Sequence, residues 1–332
     1  MAATENKSNH LSINDIQGIK TGHYTDPNAI TGCTAVICEA GATGGVVVRG
    51  GAPGSRETDL LDPTASVPLI HAVILSGGSA FGLQSVDGAM KYLKDRGVGH
   101  KAGNSKIPIV AGSILFDLNI GLDESPIPES GYQACVSANN KKIQEGTVGA
   151  GTGATVAKLM GMKSAIKGGI GSYGMTLGDG SMVSAIVATN AIGGIFDYKT
   201  GSLIAGPLDQ NGSNMLNPVQ CILDTNWAPP NEVQNNTTIG VIATDVTLTK
   251  SQAQKLSAAA HDGLALSVRP SHTSHDGDTF FCLSTGTSNV NADMDRLIAA
   301  ASVCVAEAVL RSVKLASSIG GINSINDLSK IN

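Results

Sequence analysis

Residues 235–248, NNTTIGVIATDVTL, place two amides and two hydroxyls directly before an apolar, β-branched strand pattern, with no turn residue between. A hydroxyl in that place is carried on a rigid element, and the peptide before it belongs to a polar, exposed segment. If the bond Asn236–Thr237 is cut, Thr237 becomes an N-terminus that holds a nucleophile and a base in one residue. Its hydroxyl attacks and its own α-amine takes the proton. A free α-amine has a pKa near ~7.7–8.0, so much of it is neutral near pH 7, and an internal threonine has no such base. That is the chemistry of an N-terminal nucleophile hydrolase. The alternative is an ordinary polar loop entering a strand.

Other chemical signatures come close and fail. GAGTGA (Gly149 to Ala154) fits a dinucleotide fingerprint, but KIQEGTV before it is a poor buried strand, and no acidic residue lies about twenty residues on. GGSAFG (Gly77 to Gly82) has Phe81 where a nucleophile elbow needs its second glycine, so Ser79 is expected to cap a helix instead. His272 and His275 in HTSHDGD have a metal-like spacing without further clustered ligands, and are expected as solvated loop histidines. Asn235 and Asn236 both open glycosylation sequons, which matter only in an exported chain. No metal and no cofactor is expected.

The elements around these residues follow from composition and pattern. The chain has 332 residues, 41 glycines, 3% aromatics and a formal net charge of −5. Many tight turns are implied, with packing left to Val, Ile, Leu and Ala. Mild acidity without blocks of like charge excludes nucleic acid and anionic membrane as main partners. The six cysteines form no CxxC pair and sit mostly in apolar runs, as buried free thiols of a reducing compartment do. No export signal or membrane-length apolar run is visible, so a cytoplasmic protein is expected. Residues 1 to about 12 read as a loose arm. CTAVICEA from Cys33, GVVVRG from Gly45 and HAVILS (His71 to Ser76) read as strands, and a helix follows with Leu83, Val86, Met90 and Leu93 on one face. IPIVAGSILFDL and MVSAIVATNA read as buried strands, and residues 207–236 as a linker. Behind it come the strand TTIGVIATDV, a helix over about 252–266 capped by Thr249 or Ser251, the strand DTFFCLST and a helix from Asn291 to Lys314.

The junction NTTIGVIATDV resembles the processing site of the P1 family of peptidases: the DmpA-like aminopeptidases, β-aminopeptidases and 6-aminohexanoate-oligomer (nylon) hydrolases. RGGAPGSRETDLL, LSGGSAFGL, VGAGTGATVAK, ATNAIGGIFD and HTSHDGDTFF agree in order and spacing, covering about residues 14 to 315. The resemblance implies a single autoprocessed α/β/β/α sandwich, cut into fragments 1–236 and 237–332 that stay together. It also implies a homotetramer of such pairs and a small peptide or amide substrate. Thr237 matches the nucleophile and Asn236 the residue whose carbonyl is attacked in processing. Lys158 matches a lysine near the nucleophile, whose charge favours a neutral amine and a more acidic hydroxyl. Asn190 matches an amide that donates to the oxyanion. Asp276 and Asp278 match acidic positions of the nylon hydrolases that orient the nucleophile; the DmpA-like aminopeptidases have Ser and Glu there. Some relatives carry Tyr where this chain has Phe116, so a hydroxyl contact to substrate is missing.

Plainer roles stay open for each: a surface helix lysine for Lys158, a turn residue for Asn190, an Asx-type turn for Asp276-Gly-Asp278 and a tight turn for RGGAPG. The alternatives for the whole are an acyltransferase of the ornithine acetyltransferase type, or a non-catalytic binding protein on the same fold.

Overall fold

The structure, a computed structural model, describes residues 11–226 and 236–331. Most of the expected N-terminal arm and the 227–235 part of the expected linker lie outside the described residues. Successive residues of a strand face opposite ways, so a strand buried on both faces supplies two cores. The strand Met182–Thr189 does this. Its Val183, Ala185 and Val187 pack with the helices Lys250–Ser267 and Met294–Lys314, while Ile186 and Ala188 face a second core. The strands Ile239–Thr244 and Thr279–Ser284 divide likewise: Ile242, Phe280 and Cys282 toward the helices, Val241, Phe281 and Leu283 inward. Across that inner core stand Val36, Val73, Leu75 and Ala111. Their alternate neighbours Ala35, Ala72, Ile74 and Val110 meet Val86, Leu93 and Ala134 of the helices Ser85–Asp95 and Pro128–Ser137. The layers therefore run helix, sheet, sheet, helix, which is the expected α/β/β/α sandwich.

One strand joins the two sheet layers. CTAVICEA and GVVV, expected as separate strands, form a single strand Thr31–Val48. Cys33–Ile37 pair with the strand Ile70–Ser76, the register shifts between Ile37 and Ala42, and Thr43–Val48 pair with Thr279–Ser284. A register shift bends a strand, and here it carries the chain from one layer to the other.

Local signals held in part. Thr249, not Ser251, caps its helix, accepting from the Gln252 N–H. Asp293 caps the long helix that runs to Lys314, which starts at Met294 rather than Asn291. Ser79 makes no cap: Gly78 and Ser79 both take positive φ, 80° and 52°, and residues 79–84 form a 3-10 lead-in without a side-chain cap. The turn conformation, not a hydroxyl, starts that helix. The expected linker contains a short helix, Pro218–Leu223. No helix among the described residues is long and apolar enough to cross a membrane. All six cysteines are free, and all but Cys221 are buried.

The strand register sets the site. Ile239 pairs with Ala188 on one side and Thr279 on the other. Thr237, Asn190 and Asp278 each lie one or two residues beyond those pairs, so adjacent strands deliver all of them to one sheet edge.

Candidate active site

Asn236 and Thr237 are buried at that edge. Asn236 pairs with the 275–277 backbone as an extra rung of sheet: its N–H donates to the His275 carbonyl at 3.0 Å, and its carbonyl accepts from the Gly277 N–H at 2.8 Å. The Thr237 N–H donates to the Asn190 carbonyl at 2.9 Å. The Thr237 hydroxyl rests on the Asn236 carbonyl oxygen. The Thr237 hydroxyl and the preceding carbonyl are thus in contact, with the main-chain groups on either side fixed.

Asp278 braces the start of the strand. Its Oδ1 accepts the Thr238 N–H at 2.8 Å. Its Oδ2 accepts the His272 N–H at 3.0 Å and faces His272 Nδ1 at 2.9 Å. His272 therefore is not the solvated loop histidine expected: it is bound to a buried carboxylate and packs edge-on against the buried His261, ring centroids 4.9 Å apart. His275 is exposed. Asp276 accepts the Thr273 N–H at 2.9 Å through Oδ2, while its buried Oδ1 has no hydrogen-bond partner among the described residues. Burial, then the charge of Asp278, pushes the Asp276 carboxyl above its usual range. Among the described residues, no group of His, Cys, Asp and Glu could hold a metal ion.

The loop Arg49–Ala52 clasps this segment. Arg49 N–H donates to the Asp278 carbonyl at 3.0 Å and Ala52 N–H to the Asp276 carbonyl at 2.8 Å. A Cβ at Gly50 would stand 2.2 Å from the Asp276 carbonyl oxygen. The glycines of RGGAPG thus allow backbone to lie against the aspartate loop.

The other flank is built from buried charges. Lys158 is neither helical nor on the surface, being 3% exposed. Its Nζ donates to Asn190 Oδ1 at 2.8 Å, and the Thr155 N–H donates to the same oxygen at 3.0 Å. Asn190 Nδ2 donates to the Phe116 carbonyl at 2.9 Å. Asn190 is fully buried just past the end of the strand Met182–Thr189. Burial pushes the Lys158 amine down to about 7, against the pull of Asp276 and then Asp117. Phe116, Ile120 and Met162 line a pocket that reaches Lys158 and Asp117.

Sequence reading passed over two charged residues. Lys167 is wholly buried and donates to the carbonyls of Ala154 at 2.6 Å, Gly168 at 2.9 Å and Gly151 at 3.0 Å. Burial lowers it to about 7, with Asp117 opposing. Asp117 accepts from the Gly78 N–H at 2.6 Å and the Thr31 hydroxyl at 2.8 Å, and burial raises it to about 6. The signal available was a lone charge inside an apolar or glycine-rich run, ILFDL and AIKGGIG.

Comparison with known proteins shows the family and the fold. The model of peptidase family S58 matches residues 11–326. The chain is 40% identical to an uncharacterised aminopeptidase of Mycobacterium leprae, over 94% of this chain and 92% of that one. It is 28% identical to the 6-aminohexanoate-oligomer endohydrolase of Paenarthrobacter ureafaciens, over 82% of this chain and 74% of the enzyme. Among solved structures, the L-aminopeptidase D-Ala-esterase/amidase of Ochrobactrum anthropi, described as a variant of the Ntn-hydrolase fold, superposes with a TM-score of 0.70 at 18% identity, covering 96% of this chain and 92% of that one. A Burkholderia β-aminopeptidase gives 0.69 at 20% identity, covering 96% and 93%.

Proposed function

The chain belongs to peptidase family S58, a hydrolase family of aminopeptidases and amidases with nylon-oligomer hydrolase relatives, and on that premise we propose that it is a self-processing N-terminal threonine hydrolase. The observation that carries this reading is the contact of the Thr237 hydroxyl with the Asn236 carbonyl, on a buried strand start held by Asp278, Asn190 and Gly277. In processing, Thr237 Oγ attacks the Asn236 carbonyl carbon, the C–N bond breaks, and the Oγ proton ends on the departing nitrogen. That nitrogen is then the Thr237 amine. Water hydrolyses the resulting ester, leaving fragments 1–236 and 237–332.

In turnover the freed amine accepts the hydroxyl proton as Thr237 attacks a substrate amide. The acyl-enzyme forms as the amine product leaves, and water releases the acyl group. Asn190 is the oxyanion donor of this step, which requires its Nδ2 to serve substrate as well as Phe116. Lys158, held on Asn190, supplies positive charge beside the site below its pKa of about 7. The substrates are short peptides or amino-acid amides with a free amino end, including ω-amino acid oligomers. The two acidic positions and the threonine favour that last class. Five buried free thiols accord with a reducing, cytoplasmic setting, and the assembly proposed is a homotetramer of processed pairs.

Intact-mass measurement of purified protein tests the core of this. Two species are expected, the smaller beginning at Thr237. A chain that stays full-length after long incubation at neutral pH would sink the proposal.

A further inference from the structure

We propose that the backbone N–H of Gly277 is the oxyanion donor for self-cleavage, a donor separate from the Asn190 carboxamide. The inference rests on the self-processing reading and adds the group that stabilises its first intermediate. The carbonyl to be attacked already accepts the Gly277 N–H at 2.8 Å in the uncut chain. Asn190 is turned elsewhere: its Nδ2 donates to the Phe116 carbonyl, and its Oδ1 is taken by Lys158 and Thr155. It meets the junction only through its main-chain carbonyl, which holds the Thr237 N–H.

Position 277 must be glycine for this. A Cβ there would stand 2.7 Å from Thr237 Oγ1 and 2.7 Å from the Ala52 carbonyl oxygen. Without it, hydroxyl and N–H converge on one carbonyl. The donor is also immobilised. The Asp276 carbonyl accepts from Ala52, the Asp276 N–H donates to Thr273 at 3.2 Å, and the Gly277 carbonyl accepts the Thr279 hydroxyl at 2.9 Å. A fixed donor costs no reorganisation as negative charge gathers on the Asn236 oxygen during attack by Thr237 Oγ. When the C–N bond breaks, the charge collapses back into the ester carbonyl and the proton goes to the new amine. The same N–H remains against that oxygen for ester hydrolysis.

The test removes the N–H alone. Glycolic acid incorporated at position 277 of the full chain replaces the peptide N–H by oxygen and adds no side chain. N-methylglycine at position 277, which also removes the N–H and adds no Cβ, is the second variant and decides the matter if the ester-containing chain does not fold. Cleavage is followed by intact mass after synthesis, and folding by thermal melting. Removing one oxyanion donor costs roughly 10²–10³ in rate, so fragment 237–332 is expected to appear at least ~10²-fold more slowly from a folded variant. A folded variant cut at the parent's rate would overturn the assignment while leaving self-processing intact. A parent that is never cut would overturn both. An Asn190→Ala chain cut as slowly as the glycolate chain would overturn the separation of the two donors.

Discussion

The two flanks of Thr237 hold the same residue by different means. On the aspartate-loop side, the contacts to Asn236 and Thr238 come from main chain and one buried side-chain oxygen: His275 carbonyl, Gly277 N–H and Asp278 Oδ1. On the Asn190 side, position is set by buried side-chain cations, Lys158 on the carboxamide and Lys167 on the Ala154–Thr155 peptide whose N–H meets that carboxamide. The first flank grips the Asn236–Thr237 bond, which the proposed mechanism cuts. The second stands around a pocket, and its groups titrate near neutrality. On the proposed mechanism, the single self-cut and the repeated amide turnover fall to two kinds of chemistry.

Thr237→Val removes what both flanks serve. It keeps the β-branched shape suited to a strand start and loses the hydroxyl. The expected result is a folded single chain with no detectable turnover, by intact mass and amide-hydrolysis assay. Thr237→Ser, which loses only a methyl, is expected to cut and retain measurable activity. A cut and active Thr237→Val chain would rule out the mechanism.

Asp278→Ala tests the loop flank. It strips the acceptor from the Thr238 N–H and from His272, leaving a buried donor unmet at the nucleophile's neighbour. Cutting and turnover are both expected to fall by at least ~10²-fold, as for loss of a positioned catalytic group. Asp276→Ala is expected to do the same. Near-normal rates in both folded variants would return these residues to a structural turn.

Lys158→Met tests the other flank and separates the tasks. Turnover by chains already cut is expected to drop by roughly 10²-fold, and cutting by less than tenfold, since Lys158 reaches Asn190 Oδ1 rather than the Asn236 carbonyl. Equal losses in both reactions would erase the division between the flanks.

Much of the fold was legible because burial and periodicity coincide in it. MVSAIVATNA reads as a strand, since both its faces are filled. The candidate residues Thr237, Lys158, Asn190, Asp276 and Asp278 were named through resemblance; a shared sheet edge gathers Thr237, Asn190 and Asp278, and Lys158 joins them through the Asn190 carboxamide. Three features were not legible. The union of CTAVICEA and GVVV into one strand depends on a register shift that only two partner strands define. Ser79 looks like a cap in sequence, but φ at Gly78 and Ser79 decides the turn. His272, Asp117 and Lys167 acquire meaning from partners distant in sequence or space, which periodicity does not report.

Lys167 offers the finest probe of the buried-cation flank, through stability rather than rate. Its folded pKa lies near 7, well below the ordinary lysine value of 10.5. Between those values the unfolded chain holds a proton at Lys167 that the folded chain has released. Stability therefore rises with pH wherever the unfolded state binds more protons, here from about 7 toward 10.5. Below about 7 both states are protonated and this slope vanishes. Lys167→Met abolishes the titration and leaves the Gly151, Ala154 and Gly168 carbonyls without their donor, so the variant melts lower throughout. The gap in melting temperature between parent and variant is thus expected to widen by a few degrees from pH 7 to 10, and to hold steady from pH 7 down to 6.5. A gap that stays constant up to pH 10 would mean that Lys167 is protonated in the folded protein, as a charged partner of Asp117, and that this flank carries fixed charge instead of groups that titrate with the nucleophile.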